Sequence, residues 1–297
     1  MITIDHWLVR AACQLQGGSD TPRLDAELLL AHACGRDRTW LYTWGDRTLD
    51  TLQQAAFEQL LAARTAGQPI AYLLGRREFH GLELKLSPAA LIPRPDTELL
   101  VDQALALMPA EAGGDVLDLG TGSGAIVLAL ASARRQWRFT GVDLSAEALE
   151  LAEYNARSLG VSNVTFCQSD YFEALAGERY GVIVSNPPYL SDSDPHLTRG
   201  DLRFEPRSAL VAAEDGMADL SRLIRQAPAH LLPGGYLLLE HGLNQGAMVR
   251  ALFEQAGYDM ITTHDDLGGR PRVSLGRYQT AEDHDPTMTG RGMERSA

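Results

Sequence analysis

The sequence predicts an α/β protein. A doubly wound, mostly parallel, seven-stranded sheet follows a small all-helical N-terminal domain, with a hairpin linker between them. Three observations predict this. From about Asp115 onward, short apolar runs alternate with amphipathic stretches, as in strands joined by crossover helices. Upstream of residue 75, apolar residues recur at helical spacing. Between these regions Phe79, Leu82, Leu84 and Leu86 alternate around His80-Gly81, which predicts a hairpin.

In chain order, Asp20-Thr21-Pro22 is a helix start ahead of Leu24 and Leu28 to Leu30. Residues Thr51 to Ala66 form a second helix, with Leu52, Ala55, Ala56, Phe57, Leu60 and Leu61 at helical spacing, closed by Gly67 and Pro69. A short helix from Ile70 ends at Gly75. The segment Ile92 to Glu98 is too proline-rich for a helix or central strand and opens a helix from Glu98 to Leu107.

Strands are then expected at Val116–Leu119, Phe139–Asp143, Val164–Phe166, Val182–Ser185 and Tyr236–Leu239. The helices between them are Ala125–Ala133, Ala146–Leu159 and Met217–Leu231, with another at Gln245–Gln255. Two late strands near Met260–Thr263 and Val273–Leu275 lack a helix between them and should pair as a hairpin. The resulting division is 1–75, a helical bundle for partner recognition; 76–96, hairpin and linker; 97–278, the catalytic domain; and 279–297, a disordered tail.

A net charge of −13 argues against a general grip on nucleic acid, whose phosphates such a surface would repel. Cys13, Cys34 and Cys167 are widely spaced and are expected to be small packing residues. No signal pattern or membrane-length apolar run is visible. A cytoplasmic protein with no membrane partner is expected, and a monomer.

Gly120-Thr121-Gly122-Ser123-Gly124 joins the first sheet strand to its helix. Glycines allow close approach of a ligand, and the following helix N-terminus presents N–H groups and a positive dipole end. Asp143, about twenty residues later, ends the second strand, where a carboxylate can accept both hydroxyls of a ribose. Loop and acid together specify a bound nucleoside. They also satisfy a relaxed dinucleotide fingerprint, Gly120-x-Gly122-x-x-Ala125, so NAD-linked chemistry has to be weighed. Tyr171, after the third strand, is a candidate for stacking on an adenine.

Asn186-Pro187-Pro188-Tyr189 ends the fourth strand. The prolines stop the ladder, so Asn186 Oδ1 and the Pro187 carbonyl can face a cleft side by side. Two neutral acceptors suit an –NH2 group in a planar π-system, and Tyr189 offers a flat apolar face. The motif contains no proton shuttle of the kind a dehydrogenase needs. It fits a methyl donor, S-adenosyl-L-methionine, in the glycine-loop site.

Asp118 to Gly124 with Asp143 resembles the class I S-adenosylmethionine-dependent methyltransferases, which have a Rossmann-like fold. Asn186 to Tyr189 resembles the branch that methylates planar –NH2 nitrogens. Gln68 to Gly75, Arg77-Glu78-Phe79, Leu91 to Glu98 and Arg203-Phe204-Glu205-Pro206 extend the likeness to the release-factor glutamine methyltransferases (the PrmC, or HemK, family) over about Asp5 to Tyr278. The ribosomal-protein uL3 glutamine methyltransferases are similar but typically carry Pro-Arg-Ser-Pro where this chain has Pro93-Arg94-Pro95-Asp96.

The resemblance implies N5-methylation of the glutamine in the Gly-Gly-Gln motif of class 1 peptide-chain release factors. In that reading Asn186, Pro187 and Tyr189 are catalytic, and Asn186 to Tyr189 also bind the substrate. Gly120 to Gly124, Asp143, Tyr171 and Asn186 hold the cofactor, and no metal is required. The resemblance further implies that the helical bundle docks on the release factor and that Arg203, Glu205 and Arg207 shape the peptide entrance. The rivals are a nucleic-acid amino methyltransferase acting on adenine N6 or cytosine N4, and a non-catalytic nucleoside-binding scaffold.

Overall fold

The computed structural model describes residues 2–279. The tail expected to be disordered lies outside the described residues, apart from its first position.

Five helices open the chain: α1 (Ile4–Leu15), α2 (Pro22–Cys34), α3 (Arg38–Thr43), α4 (Thr51–Thr65) and α5 (Ile70–Leu74). Each has a local reason to start or stop. Thr3 and Asp37 cap α1 and α3 through their side chains. Asp50 and Gln53 form a reciprocal capping box on α4. Gly35 and Gly75 end α2 and α5 in the left-handed conformation. Their shared core includes Trp7, Leu8, Leu29, Leu30, Leu41 and Phe57. Leu52, expected on the apolar face of α4, is 83% exposed, and Phe57 and Leu61 are the residues that helix buries.

The strands β1 (Arg76–Phe79) and β2 (Leu82–Lys85) form the expected antiparallel hairpin. A 3-10 turn at Pro95–Thr97 leads into α6 (Glu98–Ala106). The larger sheet and its helices follow: β3 (Asp115–Leu119), α7 (Ala125–Ala133), β4 (Arg138–Asp143), α8 (Ala146–Leu159), β5 (Val164–Gln168) and β6 (Tyr180–Ser185). The long connection after β6 contains three 3-10 turns and a one-turn element, α9 (Ala213–Gly216). Then come α10 (Ala218–Gln226), β7 (Leu231–Glu240), α11 (Gly246–Gln255), β8 (Tyr258–Asp265) and β9 (Pro271–Tyr278).

The sheet order is β5-β4-β3-β6-β7-β9-β8. The strands from β5 to β7 are parallel, while β9 runs antiparallel to both β7 and β8. Three details differ from expectation. The Pro233-Gly234-Gly235 connection is part of β7, with a register irregularity against β6 rather than a separate loop. The helix expected over 217–231 tightens into a 3-10 turn at Ala227–His230, because Pro228 cannot donate to an α-helical ladder. Cys13 also differs: it is exposed, not packed.

Both sheet faces are covered. Apolar residues of α6 and α7 pack on one side, and Leu220, Leu223, Ile224, Val249 and Phe253 of α10 and α11 on the other. Strand order reverses between β3 and β6, where Leu119 pairs with Ser185. The glycine loop and the Asn186 motif thus leave adjacent strand ends at the topological switch point. Open α/β sheets bind ligands there.

Candidate active site

The glycine loop is held from beneath. The N–H groups of Gly120 and Thr121 both donate to the Val142 carbonyl of β4, at 2.9 and 2.8 Å. The Gly122 N–H donates to Asp143 Oδ2 at 2.8 Å, and the Ser145 N–H donates to Asp143 Oδ1 at 2.9 Å. Each Asp143 oxygen therefore has one backbone donor and a lone pair to spare. The Gly122 N–H that a pyrophosphate would use is committed to this carboxylate, which weighs against a dinucleotide.

Asp118 stands behind the loop and is wholly buried. Its Oδ2 accepts the Thr121 hydroxyl at 2.7 Å, and the Val127 N–H helps to hold its charge. Burial nevertheless pushes its pKa up to about 7. Oδ1 makes no well-formed hydrogen bond among the described residues. Asp118 is a carboxylate inside an otherwise apolar strand, and that is the sequence signal of its place behind the loop.

Gly120 to Ser123, Asp143, Tyr171 and Pro188 line a cavity of about 460 Å³. Gly124 lies at the base of α7 rather than in this wall; a Cβ there would press on Leu128 and Ala152. Tyr171 has a left-handed backbone (φ 51°), uncommon for a bulky residue. Its hydroxyl donates to Asp219 Oδ1 at 3.0 Å, and the Arg222 guanidinium lies 5.1 Å from its ring centroid. Arg222 in turn pairs with Asp170 at 2.7 Å. The ring is thus set on a wall of the cavity by a polar cluster from α10, which no local pattern announces.

A second cleft, about 1520 Å³, opens between the N-terminal helices and the ends of β6 and β7. Asn186, Pro187 and Tyr189 line it, with Arg64, Arg94 and Arg203. Asn186 lines both cavities, as do Leu91 and Ala209. Its Nδ2 donates to Thr97 Oγ1 at 3.3 Å. Its Oδ1 is buried and without a hydrogen-bond partner among the described residues. A buried amide oxygen left unpaired costs free energy unless a ligand donor completes it.

Tyr189 donates from its hydroxyl to Glu240 Oε1 at 3.2 Å. Its backbone carbonyl accepts Gln245 Nε2 at 3.0 Å. Gly216 presses on the same carbonyl: its φ is 87°, and a Cβ there would collide with the Tyr189 oxygen. Glu214 and Asp215 beside it are also left-handed, with φ of 55° and 53°. Strained backbone of this kind persists only when its surroundings hold it, and here it packs against the Asn186 motif.

The structure separates the charged residues of the long connection. Arg203 lines the large cleft. Glu205 does not reach it; the side chain is buried, pairs with Arg94 and accepts the Ile92 N–H. Arg207 pairs with Asp192 on the exposed surface.

A nucleoside-bearing methyl donor fits the smaller cavity. It has one ribose-type acceptor in Asp143, an aromatic wall in Tyr171, a volume in the usual ligand range, and an end that meets the unpaired Asn186 oxygen.

Residues 110–280 match the family model of a methyltransferase domain, and residues 6–75 match that of the PrmC N-terminal domain. A methyltransferase of known structure from Pyrococcus furiosus superposes with a TM-score of 0.53. It covers 75% of this chain and all of that one at 18% identity, which shows a shared fold. The sheet order and the paired cavities thus define a methyltransferase of class I. A release factor glutamine methyltransferase from Vibrio cholerae is 52% identical over 281 residues, 94% of this chain and 98% of that relative. One from Escherichia coli is 52% identical over 273 residues, 92% and 98% of the two chains. The chain belongs to the release factor glutamine methyltransferase family.

Proposed function

We propose that this chain transfers a methyl group from S-adenosyl-L-methionine to the side-chain amide nitrogen of the glutamine in the Gly-Gly-Gln motif of class 1 peptide-chain release factors. The family supports the substrate class, since its members carry that activity in their names. The single observation that carries the chemistry is the unpaired, buried Asn186 Oδ1 at the junction of the two cavities.

When bound in the smaller cavity, S-adenosylmethionine supplies an electrophilic methyl group. The remaining work belongs to the protein. A glutamine amide nitrogen is poorly nucleophilic because its lone pair is delocalised into the carbonyl. Asn186 Oδ1 and the Pro187 carbonyl accept its two hydrogens, orient the nitrogen, and favour the positive charge that develops on it. Tyr189 offers a face for the planar group. Holding both reactants at attack distance removes much of the entropic barrier. The methylated amide then loses a proton to water. No metal enters this scheme.

The helices over 4–74 form one wall of the large cleft, through Asp25, Arg64 and Ile70 among others. They serve as the partner-recognition domain in this reading, with the catalytic domain over 97–278. The acidic net charge favours a protein substrate over nucleic acid. A cytoplasmic monomer suits the reading; among the described residues no helix is long and apolar enough to cross a membrane.

The test is mass spectrometry of release factor incubated with this protein and S-adenosylmethionine. A gain of one methyl mapped to the Gly-Gly-Gln glutamine is expected. Methylation of nucleic acid instead would overturn the proposal.

A further inference from the structure

We propose that Gln245 and Glu240 are positioning residues that fix Tyr189 from both ends, which rests on the reading of Tyr189 as the face for the substrate amide. A stacking face assists transfer only if it stays where the nitrogen must be presented. Tyr189 lies outside any strand, just past the two prolines, so its own segment gives it no ladder. Its restraint comes from the end of β7 and the turn into α11.

At one end, the Tyr189 hydroxyl donates to Glu240 Oε1 at 3.2 Å. At the other, the Tyr189 carbonyl accepts Gln245 Nε2 at 3.0 Å. The same Nε2 donates to the Gly216 carbonyl at 3.4 Å, and Gln245 Oε1 accepts the Gly242 N–H at 2.8 Å. Both Nε2 hydrogens and one Oε1 lone pair are thus committed to backbone. Exchanging O and N would set an oxygen against two carbonyls, so only this orientation is satisfied. One buried amide joins the Asn186 motif, the left-handed run Glu214 to Gly216, and the turn after β7. Such a run persists only when its surroundings hold it.

The frame that carries these two side chains is itself anchored. Glu240 pairs in register with Val273 of β9. The His241 N–H donates to the Arg272 carbonyl at 2.9 Å, and His241 Nε2 lies 2.9 Å from Ser274 Oγ. Glu240, His241 and Gln245 are all buried. Gly216 closes the fit, since a Cβ there would collide with the Tyr189 carbonyl and press on Gln245 Nε2. Tyr189 and Gln245 line the large cleft, while other residues wall the smaller cavity. Loosening Tyr189 should therefore slow transfer and leave cofactor binding alone.

The experiment measures kcat and KM for release-factor methylation at saturating S-adenosylmethionine, with the cofactor Kd of each variant as a check on folding. Gln245→Glu keeps an acceptor for the Gly242 N–H but sets an oxygen against the Tyr189 and Gly216 carbonyls. Under alkaline conditions its kcat should fall ~10- to 100-fold, with little change in cofactor Kd. A Gln245 that merely steadies the turn after β7 predicts wild-type kcat in Gln245→Glu, and that result would overturn the proposal. Tyr189→Phe and Glu240→Leu each remove the hydroxyl contact and should lower kcat by roughly 3- to 10-fold. Glu240→Gln, which still accepts the hydroxyl, should recover most of that loss. The Tyr189→Phe/Glu240→Leu double variant should be no slower than the slower single one; losses that multiply would reject the bracket. If Gln245→Glu fails to bind cofactor, this cycle decides. Tyr189→Ala keeps the two ideas apart. Full activity in it would sink the reading of Tyr189 as the face, whereas a slow Tyr189→Ala beside an unaffected Gln245→Glu rejects only the positioning role.

Discussion

Arg94 and Glu205, 111 residues apart in sequence, are joined across the back of the large cleft. The Glu205 side chain has no solvent exposure, and it also accepts the Ile92 N–H at 3.0 Å. One carboxylate therefore ties the proline-rich hinge before α6 to the long connection after β6. Arg64 makes a parallel tie, pairing with Asp25 of α2 at 2.8 Å and Asp201 at 3.3 Å. The connection that borders the cleft is thereby held from both the hinge and the helical domain.

Removing Arg94 leaves a buried carboxylate with a single backbone donor. Arg94→Ala should destabilise the protein by about 3 kcal/mol, whereas Arg94→Ala/Glu205→Ala should cost clearly less than the two single changes added together. Denaturant unfolding of the four proteins measures the coupling. Additive costs would mean that the pair does not hold the hinge.

Asn186→Ala deletes the unpaired acceptor while leaving the cofactor cavity largely intact. Turnover should fall ~100-fold or more, with a much smaller effect on S-adenosylmethionine affinity. Steady-state kinetics with a labelled methyl donor reads both quantities.

Asp143→Ala removes the acceptor for the Gly122 and Ser145 N–H groups and for the ribose. Hydrogen bonds to a charged acceptor contribute about 1.5–3 kcal/mol each, so cofactor Kd should rise ~10- to 100-fold. Calorimetric titration measures it. Unchanged affinity would remove Asp143 from the site.

The pH dependence of stability should carry an unusual component. Asp118 and Glu240 both have folded-state pKa values raised to about 7. For a carboxyl group raised in this way, the folded state binds the extra proton between the unfolded and folded pKa values. Its contribution therefore weakens stability as pH rises from about 4 to 7, and the penalty is fully present above that. Each shift corresponds to on the order of 3–4 kcal/mol. Without cofactor, Asp118→Asn and Glu240→Gln should gain stability over wild type at pH 8 and lose that advantage near pH 4. Parallel unfolding curves at both pH values would contradict this assignment.

Much of this was readable from residue order. The glycine run after an apolar strand, the acid at the next strand end and the proline-blocked Asn186 motif are local signals, because each depends on the backbone within a few residues. The alternation of strands and helices likewise placed these motifs at strand ends, and the hairpin of β8 and β9 followed from the missing helix between them. The exposure of Leu52 on α4 does not follow from periodicity, since spacing marks a face of the helix and only tertiary packing decides how much of that face is covered.

Other features arise only when distant segments pack together. Residue order contains nothing that pairs Arg94 with Glu205, sets Asp219 on the Tyr171 hydroxyl, brings Thr97 to the Asn186 amide, or places Glu240 on the Tyr189 hydroxyl. Those contacts join residues up to 111 positions apart, and their energies come from burial, which no local pattern records. Local chemistry thus named the reacting groups and the ligand class. Packing settled how those groups are oriented, which carboxylates are kept near neutrality, and where the two cavities meet.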